Sequence, residues 1–471
     1  MKKGFTLIEM LGIIAVLAVV LLVTFPVMNK SLKKMKEDKN TNFTNNLKVS
    51  AEAYVEQNRS KFPELYKPYG KVLIKIQDLY DAELLKGKND DISVYDTITV
   101  QATSDLELKY YFKNKQIGFG VDPNDNSLEI CDNITTFCIS SRSDLEQLAT
   151  QVNNGDNKSG KTYILTQNID LGGIFDENGN PQTGNNPWTP IGSQSNPFSG
   201  TFEGAGHIIT GMYIDSTTEN TGLFSYISSG TVKNLGIENS YIKSTNEYTG
   251  SITGFIQNGE ISNVYNKGTV SGKKITGGVL GRNDKNSIIK NCYNTGTIIG
   301  DGQFIAGIVG YNGSIEKNYP YYSIIKNCYN AGIVNGTLDS GGIAGGNYGK
   351  IEKNYNLGNI NSSQNSSGGI LGQIYRIYSP NLNNNYNSGI AAGGIALYIY
   401  GSETSYTLTN NYYLNTAATY GIQSTSSNEG ASPLTIDKMP SVISVINGDN
   451  AYVEDVKGIN NGYPILKWQQ Q

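Results

Sequence analysis

Few side chains in this sequence are spaced to do chemistry. The chain carries one histidine, His207, in a turn-like Gly206-His207 pair, so a histidine-dependent triad would have a single candidate base. The four cysteines, Cys131, Cys138, Cys292 and Cys328, form no C-x-x-C pair, and no H-E-x-x-H string occurs, which leaves no zinc constellation. Between Gly250 and Tyr420 the acids are Glu260, Asp284, Asp301, Glu316, Asp339, Glu352 and Glu403. They are scattered over different repeat positions, whereas glycosidic-bond chemistry needs two facing carboxylates. The runs Asp122-Pro123-Asn124-Asp125-Asn126 and Asp176-Glu177-Asn178-Gly179-Asn180 hold oxygen ligands without the spacing of a calcium loop, and read as polar turns. The expectation is therefore a protein with no catalytic residues, no metal and no cofactor. What the sequence offers instead is tyrosine: Tyr319, Tyr321 and Tyr322 in one insertion, Tyr375 and Tyr378 in a second, Tyr398, Tyr400 and Tyr406 in a third. Tyrosine gives rigid amphipathic contact area at low entropic cost, which makes this flank a candidate surface for a glycan or a protein.

The elements that would position such a flank follow from composition and period. The 471 residues include 37 Lys+Arg against 41 Asp+Glu, a net charge of −4 that argues against a nucleic-acid partner. Glycine is abundant (54), tyrosine (32) outnumbers phenylalanine (13), and only 17% of residues are charged, a profile of repetitive β structure. The length implies at least two domains.

From Ile139 onward the composition becomes periodic. Ile261, Ile289, Ile325, Ile351, Leu382 and Leu408 each stand four residues before Tyr265, Tyr293, Tyr329, Tyr355, Tyr386 and Tyr412, a ladder that recurs roughly every 29 residues. Short strands at such a period cannot bury an apolar face alone and stack into a parallel β-solenoid. The even separation puts aliphatic residue and tyrosine on one side of a strand, read as inward. Asn266, Asn294, Asn330, Asn356 and Asn387 are read as the turn that follows, where asparagine tolerates positive φ. Tyrosine to the next glycine pair is nearly constant at 13 or 14 residues, while the return varies, so insertions gather at one corner.

The same region carries a resemblance. Ser143-Asp144-Leu145-Glu146-Gln147-Leu148, Trp188-Thr189-Pro190-Ile191-Gly192 and Phe198-Ser199-Gly200-Thr201-Phe202-Glu203-Gly204 resemble the lead-in to GLUG-motif repeats of bacterial surface proteins. The repeats follow at Gly277-Gly278-Val279-Leu280-Gly281, Gly307-Ile308-Val309-Gly310, Gly341-Gly342-Ile343-Ala344-Gly345 and Gly368-Gly369-Ile370-Leu371-Gly372. The segment Ile459 to Trp468 resembles the end of other such proteins and is read as a cap on the last rung.

The amino terminus carries a second resemblance. From Phe5 to Met28 the chain is apolar except at Thr6, Glu9, Gly12, Thr24 and Pro26, long enough for one membrane span. Gly4-Phe5-Thr6-Leu7-Ile8-Glu9 resembles the prepilin signature of type IV pilins and type II secretion pseudopilins. The resemblance implies cleavage by a prepilin peptidase between Gly4 and Phe5, N-methylation of Phe5, and a role in filament assembly for Glu9, itself costly inside a membrane, and for Pro26, which removes a helical hydrogen bond. Phe43, Leu47, Ala51, Tyr54, Val55, Asn58 and Phe62 recur at helical spacing until Pro63, Asn58 being the one polar exception. One helix is therefore expected from Phe5 to about Phe62, its outer half laying this stripe on a small sheet for which Thr97–Gln101 and Leu106–Phe112 alternate as strands. With an extracellular destination, Cys131 and Cys138 are a candidate disulfide.

The expected fold is thus an α+β pilin-like N-terminal part, a long membrane-spanning helix with a small antiparallel sheet, followed by an all-β parallel β-solenoid. The expected divisions are a leader at 1–4, a transmembrane part at 5–28, a pilin-like globular part at 29–138, a lead-in at 139–221, the solenoid at 222–420 and a C-terminal cap at 421–471. The expected role is a minor pilin-like subunit that leaves the cytoplasmic membrane for an extracellular filament and displays the solenoid for adhesion. Its expected partners are other pilin subunits and the prepilin peptidase. The alternatives are a pseudopilin of a secretion or DNA-uptake machine, and a tethered carbohydrate-active enzyme.

Overall fold

The computed structural model describes residues 43, 45–66, 71–86, 96–102, 108–112, 115–116, 135–314, 323–364, 366–375, 381–400, 407–438, 446–447 and 449–470. They fall into two compact units divided between Ile134 and Thr135.

In the first unit a helix over 45–57 is amphipathic. Phe43, Leu47, Ala51 and Val55 are buried with Ile74, Ile76, Leu79, Ile98, Val100, Tyr110 and Phe112, while Lys48 and Glu52 pair on the outer side at 2.9 Å. The sheet beneath is antiparallel, in the order Lys71–Lys75, Thr97–Ala102, Leu108–Phe112, Lys115–Gln116. A six-residue helix, Ile76–Asp81, follows the first strand.

The second unit is a parallel β-solenoid of about nine turns. Each turn contributes to three faces. One face stacks Tyr213–Ser216, Tyr241–Ser244, Thr269–Gly272, Thr297–Gly300, Val334–Gly336 and Ile360–Ser362. The second runs from Phe224–Ser228 through Thr253–Gln257, Leu280–Asp284, Val309–Asn312, Ala344–Asn347 and Leu371–Tyr375 to Gly393–Tyr400. The third carries the Ile…Tyr-Asn repeat, and Ile261, Ile289, Ile325, Ile351, Leu382 and Leu408 stand in one register column. The 12-residue helix Arg142–Asn153 follows the first rung strand, Thr136–Ile139, and buries Leu145, Leu148, Ala149 and Val152. Ser141 caps it, its hydroxyl accepting the Asp144 N–H at 3.2 Å.

This architecture corrects the expected fold class. The three α-helices among the described residues are short, and none of them is long and apolar enough to cross a membrane. The apolar stripe of the 45–57 helix is taken up by its own sheet, with Lys48 and Glu52 on the opposite, polar face. The fold is an all-β parallel solenoid preceded by a small helix-and-sheet unit, not a pilin-like α+β part followed by a solenoid. Residues 1–42, on which the span, Gly4, Phe5, Glu9 and Pro26 fall, lie outside the described residues.

Two readings of the repeat are also corrected. Ile261 is fully buried in the lumen, but Tyr265, four residues on, points outward. The residue between them, Asn263, has φ +54°, and Asn234, Asn291, Asn327, Lys353, Asn384 and Asn410 repeat this left-handed kink on the other rungs. One such residue breaks the period-two alternation and turns the remaining strand over. The Asn266 series, in contrast, has no positive φ. Asn266, Asn294, Asn330, Asn356 and Asn387 are wholly buried, the first four each donating from Nδ2 to Oδ1 of the next at 2.8 Å. The glycine motif makes room for them: a β-carbon on Gly278, Gly307, Gly342 or Gly369 would collide with the carboxamide of Asn294, Asn330, Asn356 or Asn387.

Candidate functional site

The outward tyrosines form a continuous stack. Tyr265, Tyr293, Tyr329 and Tyr355 follow one another with ring centroids 4.7, 5.0 and 4.8 Å apart and planes within 6° of parallel. Such a column would leave a broad aromatic surface in water, and the chain covers it with its own C-terminal segment. Ile446, Tyr452 and Leu466 are buried against Tyr293, Tyr329, Tyr355 and Tyr386, in a strap built on the antiparallel pair Tyr452–Val453 and Ile465–Leu466. The strap thus runs along the side of the solenoid. The strand that stacks on the last rung of this face is Ala431–Leu434.

The left-handed kinks tell the strap where to bond. Tyr452 Oη donates to the carbonyls of Lys353 at 2.9 Å and Cys328 at 3.2 Å, and Trp468 Nε1 donates to the carbonyl of Asn291 at 3.0 Å. Tyr355 Oη donates to the carbonyl of Pro464 and accepts from Asn460 Nδ2. Asp449 fastens the near end, 2.5 Å from Lys353 Nζ and 3.6 Å from Lys326 Nζ. The hydrogen bond from Lys353, aided by its charge, by Asn327 and by Lys326, holds the Asp449 carboxyl below the usual carboxylate range against a smaller opposing effect of burial. Burial raises the hydroxyl pKa of the covered tyrosines Tyr293, Tyr329, Tyr355 and Tyr386, so all are neutral at physiological pH.

At its N-terminal end the stack stops at Tyr265, because the partner of Tyr265 on the preceding rung is Gly236, where a β-carbon would strike the tyrosine ring. In front of Tyr265 lies a cleft of about 660 Å³ lined by Ala205, Gly206, Asn234, Asn263, Trp468 and Gln469, with Leu235, Gly236, Tyr293 and Ile459 completing it. Trp468 stands 6.2 Å from Tyr265, with planes 27° apart, and 5.7 Å from Tyr293. The two asparagines are tied together: Asn263 Nδ2 donates to Asn234 Oδ1 at 2.8 Å, and Asn234 Nδ2 to Glu203 at 2.9 Å. Of the acids beside the cleft, Glu203 pairs with Lys233 at 3.2 Å and Glu238 with Lys267 at 2.8 Å while also accepting the Tyr265 hydroxyl at 2.6 Å, and Asp455 accepts the Ile459 N–H at 2.7 Å. Burial pushes Glu238 up, yet its two hydrogen bonds and the Lys267 charge outweigh it and hold its carboxyl below the usual range.

The sequence-derived candidates fare differently. Of the tyrosine flank, Tyr319, Tyr321, Tyr322, Tyr378 and Tyr406 lie outside the described residues. Tyr398 is 48% exposed. Tyr375 and Tyr400 are register partners on neighbouring strands. Cys138 is disulfide-bonded and Cys131 lies outside the described residues, while Cys292 and Cys328 are buried free thiols. His207 Nδ1 lies 3.3 Å from Asn168 Oδ1. Glu260 pairs with Lys290, Asp284 with Arg282, and Glu352 with Lys350. Asp339 accepts from Gln303 at 2.7 Å. Among the described residues no cluster of His, Cys, Asp and Glu could hold a metal ion. The Asp176 carboxylate accepts the N–H groups of Asn178 and Asn180 and closes a tight turn. The cleft itself went unread in the sequence. Its one signal was Gly236, which stands two residues after the kink residue Asn234, where later rungs carry tyrosine.

Fold and ladder together define a β-solenoid repeat protein. Residues 275–299 match the family described as the GLUG motif, which covers one of the repeats. The chain is 29% identical over 140 residues to halomucin of Haloquadratum walsbyi, spanning 29% of this chain and 2% of that protein. It is 37% identical over 102 residues to a protein of Evansella cellulosilytica provisionally named a Gly-rich membrane protein, spanning 21% of this chain and 11% of that one. The chain therefore matches only a small part of the length of either relative. A solved structure from Bacteroides ovatus, provisionally named an immunoglobulin A1 protease, aligns with 71% of this chain and 92% of its own at 19% identity and a TM-score of 0.43.

Proposed function

We propose that this chain is a surface-displayed binding protein, processed at its prepilin-type signature between Gly4 and Phe5 and carried as a minor subunit of a type IV pilus-like filament or pseudopilus. The observation that carries the binding role is the solenoid itself. Its interior is fixed by amide ladders and its tyrosine column is clamped by a strap, so it holds an aromatic cleft in a rigid frame, while Glu203, Glu238, Glu260, Asp284 and Glu352 are each taken up in an ion pair. The names of the relatives, a membrane protein and a halomucin, support display at the cell surface. The signature Gly4-Phe5-Thr6-Leu7-Ile8-Glu9 supports the route.

The test is expression with a prepilin peptidase, mass spectrometry of the mature amino terminus, and protease shaving of intact cells. A chain beginning at methylated Phe5, with solenoid peptides released by shaving, is the expected result. An intact Met1 beside a processed control pilin would remove the filament route, and solenoid peptides protected in intact cells would remove surface display.

A further inference from the structure

We infer that the cleft at the head of the tyrosine stack binds a neutral sugar unit of a glycan. This deepens the binding role proposed above and depends on that reading only for where the ligand is met.

The first argument is the chemistry the corner already performs. Along the covered part of the ladder the backbone carbonyls of Asn291, Cys328 and Lys353, at or next to the left-handed residues, accept hydroxyl and N–H donors, and the stacked rings offer flat apolar faces to whatever lies on them. The strap satisfies both needs with the Tyr452 hydroxyl, the Trp468 indole N–H and apolar side chains. One rung beyond, the row of kinks continues to Asn263 and to Asn234, whose carbonyl already accepts the Gly206 N–H at 2.9 Å. There the stack presents its last ring, Tyr265, which the strap meets only through Trp468 and beside which Lys267 Nζ stands 5.0 Å from the ring centroid. A ligand that replaces the strap there must carry hydroxyl donors and an apolar face in one compact body. A pyranose does: its C–H face packs on an aromatic ring and its equatorial hydroxyls reach amides and carbonyls at the rim.

The second argument is charge. No residue lining the cleft carries a charged side chain, and Glu203 and Glu238 close by are each paired with a lysine. An anionic sugar would find no unpaired cation among the lining residues, and a cationic ligand no unpaired acid. The third is shape. Gly206, at φ +83°, has open space where a β-carbon would stand, while the bare Gly236 lets the Tyr265 ring lie close against its rung. The volume is kept free by small residues on one wall while Trp468 and Gln469, fixed by bonds to Asn291 and Tyr329, hold the other. The cleft combines aromatic rings with convergent amides, polar and apolar surface in nearly equal parts, as a hydroxyl-rich ligand with one apolar face requires.

The experiment uses the full-length protein on an array of neutral mannose-, galactose-, glucose- and N-acetylglucosamine-terminated oligosaccharides beside sialylated and sulfated ones, followed by calorimetric titration of the best ligand. Ala205→Phe fills the cleft from its exposed wall, and Ile459→Arg places a charge at its exposed rim. The melting temperature of each variant is measured as a control on the fold. The expected result is binding of neutral glycans, quenching of tryptophan fluorescence on binding, and at least a tenfold loss of affinity in Ala205→Phe with several-fold loss in Ile459→Arg. Preference for the anionic glycans, unchanged affinity in both folded variants, or no binding to any probe would each overturn the assignment. The last result would leave display at the surface standing, because shaving and the mature amino terminus report on that separately.

Discussion

Tyr329 and Asn330 are chain neighbours on one rung, yet they build the two most different columns of the molecule. Asn330 points into the lumen, where its carboxamide donates to Asn356 and to the carbonyl of Gly332 and accepts from Asn294. Tyr329 points out, where its ring lies between Tyr293 and Tyr355 and is covered by the strap. The amide column is a network whose buried members are satisfied by one another and by the backbone two residues on, so its energy resides in the penalty for a missing partner. The tyrosine column is held by burial and stacking, each stacked pair contributing on the order of 1 kcal/mol beyond area, and it needs a second segment of chain to bury it. The difference shows how one repeat can specify both its own stacking and the docking of a remote segment: the inward column sets the register, and the outward column recruits the strap.

The largest expected effect comes from the outward column. Tyr355 is 1% exposed and touches both the neighbouring ring and the strap, through Tyr452 at 5.3 Å, Asn460 and Pro464. Tyr355→Ala should cost about 3–5 kcal/mol in urea unfolding, the usual range for a buried aromatic, and should free residues 446–470 to limited proteolysis while the lumen amides keep their hydrogen-exchange protection. Asn330→Ala should do the opposite. It orphans the Asn294 donor, the Asn356 acceptor and the Gly332 carbonyl, a loss of roughly 3 kcal/mol at about 1 kcal/mol each. Protection should fall on the rungs of Asn294 and Asn356, and the strap should stay resistant to protease at temperatures where the rungs are intact. Release of the strap by Asn330→Ala alone, in a folded protein, would mean that the two columns are one network.

The period of these columns was legible in the sequence, and their orientation was not. Ile261 and Tyr265 stand four apart, and period-two alternation puts them on one side. A single left-handed residue at Asn263 reverses that, and the signal was present as asparagine or lysine two residues before each ladder tyrosine, at 263, 291, 327, 353, 384 and 410. Asparagine was credited with turn chemistry in the wrong place: the kink residues use its tolerance of positive φ, whereas the Asn266 series uses its amide. The partnership between Gly307 and Asn330, or Gly342 and Asn356, is a contact between rungs, and no local pattern reveals contacts between turns of a coil whose insertions vary. The strap was invisible for the same reason. Trp468 meets Asn291 across 177 residues of sequence, and the tail read as a cap because its own residues carry no sign of where they dock. The cleft follows from both hidden facts, the flipped tyrosine and the docked tail, so it could not have been read before either.

The smallest effect separates the columns by pH. Asp449 joins the strap to the ladder rungs through Lys353 and Lys326, and its carboxyl is held below the usual range chiefly by the hydrogen bond from Lys353. A depressed folded-state pKa means that the folded protein holds this proton less tightly than the unfolded chain. Its stabilisation is therefore complete above the unfolded value of about 3.9 and is lost as pH falls through the lower folded value. Asp449 is about one-third exposed, so solvent screens the pair and the effect is modest. The neutral carboxamides of the lumen have no titration in this range. Limited proteolysis below about pH 4 should therefore nick 446–470 before the rungs, and Asp449→Asn should show at neutral pH the strap lability that the native chain acquires only in acid. An equal acid sensitivity in native chain and Asp449→Asn would place the acid-labile contact elsewhere in the strap. Asp455 is the next candidate, since its carboxylate accepts the N–H groups of Ile459, Asn460 and Gly462 and is likewise held below the usual range. In that case acid would unravel the turn of the strap before its clasp.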